Sequence, residues 1–346
     1  MQVTTRILGI ETSCDETASS VIEEGTTILS NIVASQNELH AKYGGIYPEM
    51  ASRAHIEIID TIIAQALSEA HVSLNDISAI AVTRGPGLVG SLLVGINTAK
   101  GIALGANLPL LGINHLEGHI YSLWLSEYNE EVEFPIIVLI VSGGHTEMLL
   151  MKNHMEYERL GGTLDDAAGE AFDKIGRLLG LPYPGGPHLE QASLNGNSSQ
   201  FDFPRVWLDN SWDFSFSGLK TAVVREIQQR FPEVNMGRSA ESVDLPVADI
   251  AASFQSALVE VLQEKVVQAS VKYNAKCIFV TGGVSANTFL QNAIIERAGK
   301  LPVYFPPKHL CTDNAAMIAA AGFRRFETGH YDNITIDAKP TWPLGI

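Results

Sequence analysis

The sequence predicts an α/β protein in which one structural plan is used twice. Short apolar strands alternate with longer segments that carry apolar residues at helical spacing. A strand, a polar turn and a returning strand occupy residues 7–22, and the same order returns at residues 135–151. A buried strand followed by a glycine-rich loop and a helix also occurs twice, beginning near residues 77 and 276. This duplication predicts two lobes with a ligand cleft between them.

The first half begins with a predicted hairpin. Its two strands flank the polar turn Thr12–Thr17, which is rich in hydroxyl and carboxylate groups. The next predicted elements are a short strand, an amphipathic helix and a buried strand, at residues 28–34, 48–72 and 77–83. The last of these strands ends in the glycine-rich segment Arg84–Ser91. Its glycines either let the backbone approach an anion at the start of the next helix or form a plain turn.

Residues 114–119, with the sequence Asn-His-Leu-Glu-Gly-His, predict a metal site. Helical residues four apart lie one turn above the other on the same face, so His115 and His119 are near enough to share one ion. Zinc-protease helices read His-Glu-x-x-His, with the general base directly after the first ligand. Here Glu117 lies about 200° around the helix from His115, at ~3.6 residues per turn. We therefore expect Glu117 to point away from the metal, and the alternative is that the two histidines only cap or pack.

The second half repeats the plan from residue 135. Ser142–Thr146 is the polar turn of its hairpin, and Gly282–Asn287 is its glycine loop. Between them, Thr163 is predicted to cap a helix that has Asp165 and Asp166 in its first turn. In such a fold the hairpin turns and glycine loops face each other across the phosphates of a nucleotide, which is the plan of the actin-like ATPases. We predict lobes at residues 1–130 and 131–346, with the final helix packing back across the cleft.

The amino-acid composition limits the possible classes of function. The chain has 346 residues, of which 46% are hydrophobic and 18% charged, so it can form a large core. Its net charge of −16 argues against broad nucleic-acid binding, which depends on a basic surface. Three widely spaced cysteines indicate a reducing compartment. With neither a signal peptide nor an apolar run of about 20 residues in view, we expect a cytoplasmic protein that does not contact a membrane.

Five motifs occur in order along the chain: Ile10–Thr17, Gly44–Arg53, His115–His119, Val141–Thr146 and Cys311–Asn314. In this combination the chain closely resembles the bacterial TsaD family, the transferases that form threonylcarbamoyladenosine in tRNA and that were long mislabelled as glycoprotein endopeptidases. The resemblance covers nearly the whole chain. It implies the duplicated actin-like ATPase (ASKHA) fold, with a nucleotide and metal cleft between two lobes.

The resemblance also implies the site residues. The metal ligands correspond to His115, His119 and Asp313, although Asp313 could otherwise simply cap a helix. The metal is one Fe²⁺ per subunit in the usual assignment, and two imidazoles with a carboxylate fit Zn²⁺ equally well. Archaeal relatives have a tyrosine ligand at Ile140, so water or substrate would take that position here. Many relatives have aspartate at Glu190. The nucleotide or substrate contacts correspond to Ile140, Val141, Ser142, Gly143, Gly144, Asp173, Gly186, Glu190 and Asn287.

The expected reaction is transfer of a threonylcarbamoyl group from threonylcarbamoyl-AMP to N6 of adenosine 37 in tRNAs that read ANN codons, with release of AMP. It needs no nucleophilic serine or cysteine. A metal Lewis acid and the backbone N–H groups of Ser142–Gly144 would stabilise the developing charge. Glu11 and Asp15 are the hypothetical acceptors of the amine proton. The implied protein partners are TsaB-like and TsaE-like, and they would help to carry the tRNA.

Two other classes remain open. An actin-like small-molecule kinase would transfer the γ-phosphate of ATP with magnesium and would not need the histidine pair. A metalloprotease would use both histidines but would need a base beside the metal, which Glu117 does not provide.

Overall fold

The structure is a computed structural model that describes residues 4–126, 132–209, 211–231 and 245–345. The chain forms two compact units. The first comprises residues 1–132, 153–157 and 306–346, and the second comprises residues 133–152 and 158–305. Residues 306–346 therefore pack with the amino-terminal unit. The predicted lobe boundary between residues 130 and 131 lies outside the described residues.

The first unit is built on a five-stranded sheet with the order β3-β2-β1-β4-β5. A short turn joins β1 to β2, and β1, β2 and β3 are antiparallel neighbours. Helical connections bring β4 and β5 parallel to β1. The strands are β1 Arg6–Glu11, β2 Glu16–Glu23, β3 Thr27–Ser35, β4 Ala79–Gly85 and β5 Leu110–Asn114.

The second unit contains a five-stranded sheet with the order β10-β9-β6-β7-β8. β7 is antiparallel to β6, whereas β9 is parallel to both β6 and β10. In both sheets the strands therefore follow the order third, second, first, fourth, fifth. This identity confirms the predicted duplication. The strands are β6 Ile136–Val141, β7 Thr146–Asn153, β8 Glu156–Gly162, β9 Cys277–Thr281 and β10 Val303–Tyr304.

Eleven α-helices connect and cover these strands in the described part of the chain. They are α1 Asn37–Ala41, α2 Pro48–Glu69, α3 Val89–Ala106, α4 His115–Tyr121, α5 Ala168–Leu178, α6 Gly185–Ser193, α7 Ser217–Arg230, α8 Val247–Lys272, α9 Thr288–Ala298, α10 Lys308–Cys311 and α11 Ala315–Glu327. The helix α11 packs closely on β1 because Gly9 of the strand faces the alanine-rich start of the helix. A Cβ at Gly9 would lie 2.3 Å from the carbonyl oxygen of Ala315. This packing brings the amino end of α11 next to the carboxyl end of β1.

The helix α3 is long and apolar enough, by length and composition, to be a membrane-span candidate, with 18 residues and a mean hydropathy of 1.3. The expectation that no apolar run approaches the length of a membrane span is therefore wrong for this helix. Its buried side chains include Leu92, Ile96 and Ala99, which pack with Leu8 and Val82 of the sheet. One face of α3 thus packs on the sheet of the first unit.

The predicted helix with Thr163 as its N-cap is wrong. β8 extends to Gly162, and α5 begins only at Ala168. Asp165 instead accepts hydrogen bonds from the backbone N–H groups of Phe216 (2.8 Å) and Ser217 (3.2 Å). It thus satisfies N–H groups at the start of α7. Aspartate is typical of helix starts, but Asp165 holds the start of α7 and not that of a helix that follows it directly in the sequence.

Candidate metal centre

The two histidines lie on one short helix that follows a buried strand. The helix α4 begins at His115, directly after β5, and Asn114 caps it by accepting a hydrogen bond from the Leu116 N–H at 2.9 Å. Both imidazoles are buried, and their ring centroids are 4.7 Å apart. The predicted helix and the predicted proximity of the two rings are therefore confirmed.

The third group arrives from a distant part of the chain. Asn314, and not Asp313, caps α11, because its side chain accepts a hydrogen bond from the Met317 N–H at 3.1 Å. The Asp313 carboxylate instead faces the histidines. Its Oδ1 lies 3.5 Å from Nε2 of His115 and 3.1 Å from Nε2 of His119. The alternative that Asp313 serves as a helix cap is therefore wrong.

The geometry fits a metal ion. One donor atom from each of His115, His119 and Asp313 lies within 4.8 Å of the others. Donors about 2.1 Å from one cation are separated by about 3.0 Å in an octahedral site and about 3.4 Å in a tetrahedral site. The two distances from Asp313 Oδ1 are close to these values. Two imidazoles and a carboxylate suit iron or zinc, so the donor set fits the metals that the family resemblance implies.

Glu11, at the end of β1, fixes the orientation of His115. Its Oε2 lies 3.1 Å from Nδ1 of His115, and Ser13 Oγ lies 3.2 Å from the same nitrogen. Because a carboxylate only accepts hydrogen bonds, Nδ1 carries a proton, and Nε2 is the nitrogen that would bind a metal. Glu11 also accepts hydrogen bonds from the Ser13 N–H and from Thr83 Oγ1, the latter at 2.6 Å. Its side chain is therefore held by three donors.

The surroundings are strongly negative. Burial alone would lower the pKa of His115, but Asp313 and Glu11 raise it to about 9. Burial, together with Asp15 and Asp313, raises the pKa of Glu16 well above its usual value. Several carboxylates thus surround two imidazoles, and the centre favours a positive charge. This electrostatic environment suits a divalent cation.

Glu117 is not among the clustered donors. Its Oε1 accepts a hydrogen bond from the hydroxyl of Tyr157 at 3.0 Å. Burial raises the pKa of Glu117 to about 7, although Tyr157 and Arg325 act to lower it. This contact agrees with the expectation that the glutamate does not serve as a base at the metal.

The predicted anion-binding turn of the second unit is only partly available for a ligand. Ile140 and Val141 are fully buried in β6, so their side chains are part of the core. The Ser142 N–H donates to the carbonyl of His145 at 2.8 Å. Gly143 and Gly144 are exposed, and a Cβ at either glycine would meet no atom within 4 Å. Their backbones are therefore open to a ligand.

The remaining predicted contact residues of this unit hold the starts of two helices. Asp173 Oδ1 accepts hydrogen bonds from the N–H groups of Gly185 (2.8 Å) and Gly186 (3.3 Å), where α6 begins. Glu190 Oε1 accepts from the Thr288 N–H at 2.7 Å, and Asn287 caps α9. The structure thus brings Asp173 and Gly186 together, and Glu190 and Asn287 together.

The first glycine loop does not present a free anion site. A Cβ at Gly85, where φ is +152°, would lie 1.8 Å from the carbonyl oxygen of Lys339. A Cβ at Gly87 would lie 2.6 Å from the carbonyl oxygen of Ser13. These glycines allow close approach of other segments of the same chain, so the plain-turn alternative describes this loop better.

Sequence reasoning missed Ser13 and Thr83 as parts of the metal centre. Ser13 lies within the motif Ile10–Thr17, but its approach to His115 spans 102 positions. Thr83 reaches Glu11 across 72 positions, through the parallel pairing of β1 and β4. A strand-register prediction for β1 and β4 would have been needed to find this contact.

The fold and the candidate metal site together define the structural class of the protein. The protein is an α/β chain of the actin-like ATPase type that carries a two-histidine, one-carboxylate donor set suited to a metal. The solved structure of HypF from T. kodakarensis is similar, with a TM-score of 0.61 and 15% identity over 95% of this chain and 49% of that one. At this identity the likeness shows the fold alone, which is the predicted one.

The family follows from the sequence comparison. The family model TsaD, described as tRNA N6-adenosine threonylcarbamoyltransferase, matches residues 27–320. A protein of that name from Dehalococcoides mccartyi is 51% identical over 335 residues, which cover 97% of this chain and 98% of that protein. Another from Thermomicrobium roseum is 49% identical over 98% of this chain and 96% of that protein. The chain belongs to the TsaD family.

Proposed function

We propose that this chain transfers the threonylcarbamoyl group from threonylcarbamoyl-AMP to N6 of adenosine 37 in tRNAs that read ANN codons, releasing AMP. The observation that carries the proposal is the convergence of His115, His119 and Asp313 in a chain of this family. Full-length similarity to proteins named for this activity supports the same substrate class.

His115, His119 and Asp313 would hold one Fe²⁺ per subunit, and Zn²⁺ suits the same donors. When bound, the metal supplies Lewis-acid stabilisation of negative charge. Glu11 keeps the Nδ1 proton of His115 in place, so that Nε2 stays available. Carboxylates near a histidine ligand commonly have this role, which accounts for a fully buried glutamate at the end of β1.

The second unit would bind the adenylate. Gly143 and Gly144 present exposed backbone, and their N–H groups are suited to a phosphate oxygen or to the oxyanion formed during transfer. Asp173 and Glu190 hold the starts of α6 and α9 by hydrogen bonds to backbone N–H groups. These contacts would hold Gly186 and Asn287 in fixed positions, so that both could contact a bound nucleotide.

The amine of the adenine would attack the carbamoyl carbon directly, and AMP would leave without a covalent enzyme intermediate. Of the two carboxylates considered as proton acceptors, Glu11 already accepts hydrogen bonds from Ser13 and Thr83 and contacts His115. We therefore assign Glu11 to positioning. Asp15, buried in the same turn, is the remaining candidate for the base.

The net charge of −16 bears on the partners. A strongly acidic chain gains little from counterion release at the phosphates of RNA, so TsaB-like and TsaE-like proteins would carry part of the tRNA contact in the cytoplasm. Tight, salt-sensitive binding of tRNA by the purified chain alone would refute this division of labour.

A single-turnover assay tests the reaction. The purified protein, with and without the proposed partners, is given threonylcarbamoyl-AMP and unmodified tRNA, and the nucleosides are analysed by mass spectrometry. We expect a threonylcarbamoyladenosine peak that is lost in His115→Ala and His119→Ala and kept in His330→Ala, whose imidazole is exposed. Absence of the peak with every partner combination, together with ATP turnover on a small acceptor, would favour the kinase alternative.

A further inference from the structure

After α11 the chain contains an irregular segment, residues 332–342, that we name the C-terminal strap. It starts at the amino end of β5, where the Asp332 N–H donates to the Leu110 carbonyl at 2.8 Å. The Asp332 carboxylate accepts a hydrogen bond from the Gly112 N–H at 2.8 Å and pairs with Arg325 at 2.9 Å. Ile336 is buried in the core of the first unit. The strap is thus firmly attached at its beginning.

The strap then follows the loop after β4. The Lys339 N–H donates to the Arg84 carbonyl at 2.8 Å, and the Gly87 N–H donates to the Pro340 carbonyl at 3.2 Å. The absence of a side chain at Gly85 allows the Lys339 carbonyl to approach. The glycine loop therefore provides a surface on which the strap lies.

The strap contacts Asn114, the residue that precedes α4, the helix with the two histidines. The side-chain amide of this residue makes two contacts with different partners. Its Oδ1 accepts from the Leu116 N–H at 2.9 Å and so caps α4, while its Nδ2 donates to the Trp342 carbonyl at 3.0 Å. Asn114 is also the last residue of β5 and the neighbour of the ligand His115. The amide of this last residue of β5 therefore joins the strap to Leu116, the second residue of α4.

We infer that Asn114 and the C-terminal strap together position the metal ligands, with the Asn114–Trp342 hydrogen bond as the link between them. The helix α4 has only seven residues, and a helix of that length is not stable by itself in water. Its orientation therefore depends on tertiary contacts: Gly118 packs against Ile318 of α11, and Asn114 holds its amino end. Groups outside the ligand set that orient ligands typically change metal affinity 10–100-fold when they are lost.

Two variants separate this link from simple helix capping. Asn114→Asp keeps an oxygen that can cap α4, but it replaces the donor to Trp342 by an acceptor. The added negative charge beside His115 should by itself favour a cation, so weaker binding would have to come from the lost link. The second variant is a chain that ends at Ala338. It keeps Asp332 and Ile336 and loses the contacts from Lys339 onward.

The measurement is Co²⁺ affinity by competition with a chelator, read from the visible spectrum of the bound ion. We expect each variant to bind Co²⁺ about tenfold or more weakly, with altered ligand-field bands. The combined variant should be no weaker than the single ones, because both break the same link. The matched control is Gln291→Glu, which makes the same amide-to-carboxylate exchange and removes a 2.8 Å hydrogen bond from Nε2 to the Ser285 carbonyl. It should leave Co²⁺ affinity unchanged.

This inference rests on the proposed metal site, and the assay distinguishes the two failures. If the unaltered protein binds no Co²⁺, the proposed metal site is refuted. If it binds and both variants keep its affinity and spectrum, the positioning role alone is refuted. Losses that multiply in the combined variant would show two independent effects, which would also overturn the proposed link.

Discussion

Replacing Glu11 with glutamine tests the metal centre most directly. The substitution keeps the size of a fully buried side chain and changes one carboxylate oxygen into an NH₂ group. Three donors face this carboxylate: the Ser13 N–H, Thr83 Oγ1 and Nδ1 of His115. The amide oxygen can serve the side of the carboxylate that faces Ser13, or the side that faces His115 and Thr83, but it cannot serve both.

The expected magnitude follows from these contacts. If the NH₂ group faces His115, the Nδ1 proton loses its acceptor and the other tautomer is favoured, which places a proton on Nε2 where the metal should bind. Loss of such an orienting group typically weakens metal binding 10–100-fold, or about 1.4–2.8 kcal/mol at 1.4 kcal/mol per tenfold. A buried donor without an acceptor costs about 1–3 kcal/mol of folding free energy as well.

Two assays check this prediction. Metal affinity is measured by chelator competition, and the free energy of unfolding is measured in urea for the metal-free protein. Asp15→Asn is the comparison, because it removes a carboxylate charge from the same turn while keeping all three donors to Glu11. We expect Glu11→Gln to lose more metal affinity than Asp15→Asn. Equal losses would mean that Glu11 acts only through its charge, and the positioning argument would be refuted.

Three further predictions concern stability. A metal at 100 times its dissociation constant should stabilise the protein by ~2.7 kcal/mol in thermal unfolding, and this gain should vanish in His119→Ala or after chelation. Gly85→Ala should destabilise the protein by more than about 1 kcal/mol, because its Cβ would overlap the Lys339 carbonyl, whereas Gly143→Ala should fold with nearly unchanged stability; equal urea midpoints would contradict this. Burial alone would raise the pKa of Asp213, but hydrogen bonds and nearby cations hold it below its usual value. Its charged form therefore stabilises the fold above about pH 4. Asp213→Asn should lose about 1 kcal/mol at pH 7, and the difference from the unaltered protein should shrink as the pH falls through the depressed pKa, which urea unfolding at neutral and acid pH would show.

Much of the fold was predictable because strands and helices leave local periodic patterns. The hairpin turn, the long helix α2 and the glycine loop after β9 were all expected close to where they occur. The helix expected from Thr163 failed for a specific reason. Aspartate favours helix starts because its side chain accepts from backbone N–H groups, and Asp165 does so for α7, whose first residue is 52 positions away. A local pattern does not reveal which helix receives the bond.

The candidate metal centre also contains contacts that local patterns predict and contacts that they do not. His115 and His119 could be paired from helical geometry because they lie four positions apart. No local rule joins Asp313 to them, and its place in the predicted ligand set came from the family resemblance. In the structure this contact depends on the packing of α11 on β1, where Gly9 permits close approach. The roles of Thr83 and of the strap were not predictable, because they depend on strand register and on the path of an irregular segment.

The duplicated plan explains why equivalent positions carry different chemistry. The turn after β1 and the turn after β6 occupy the same place in their sheets, since both sheets have the same strand order. In the first unit this turn is buried and its strand supplies Glu11 to a histidine, and the neighbouring glycine loop is covered by the strap. In the second unit the turn contains Gly143 and Gly144, which are exposed with open space beside them. The buried turn of the first unit lies beside several carboxylates and suits a cation. We expect the open turn of the second unit to offer its backbone N–H groups to an anion. Loss of the strap should therefore affect the proposed cation site of the first unit more than the open turn of the second.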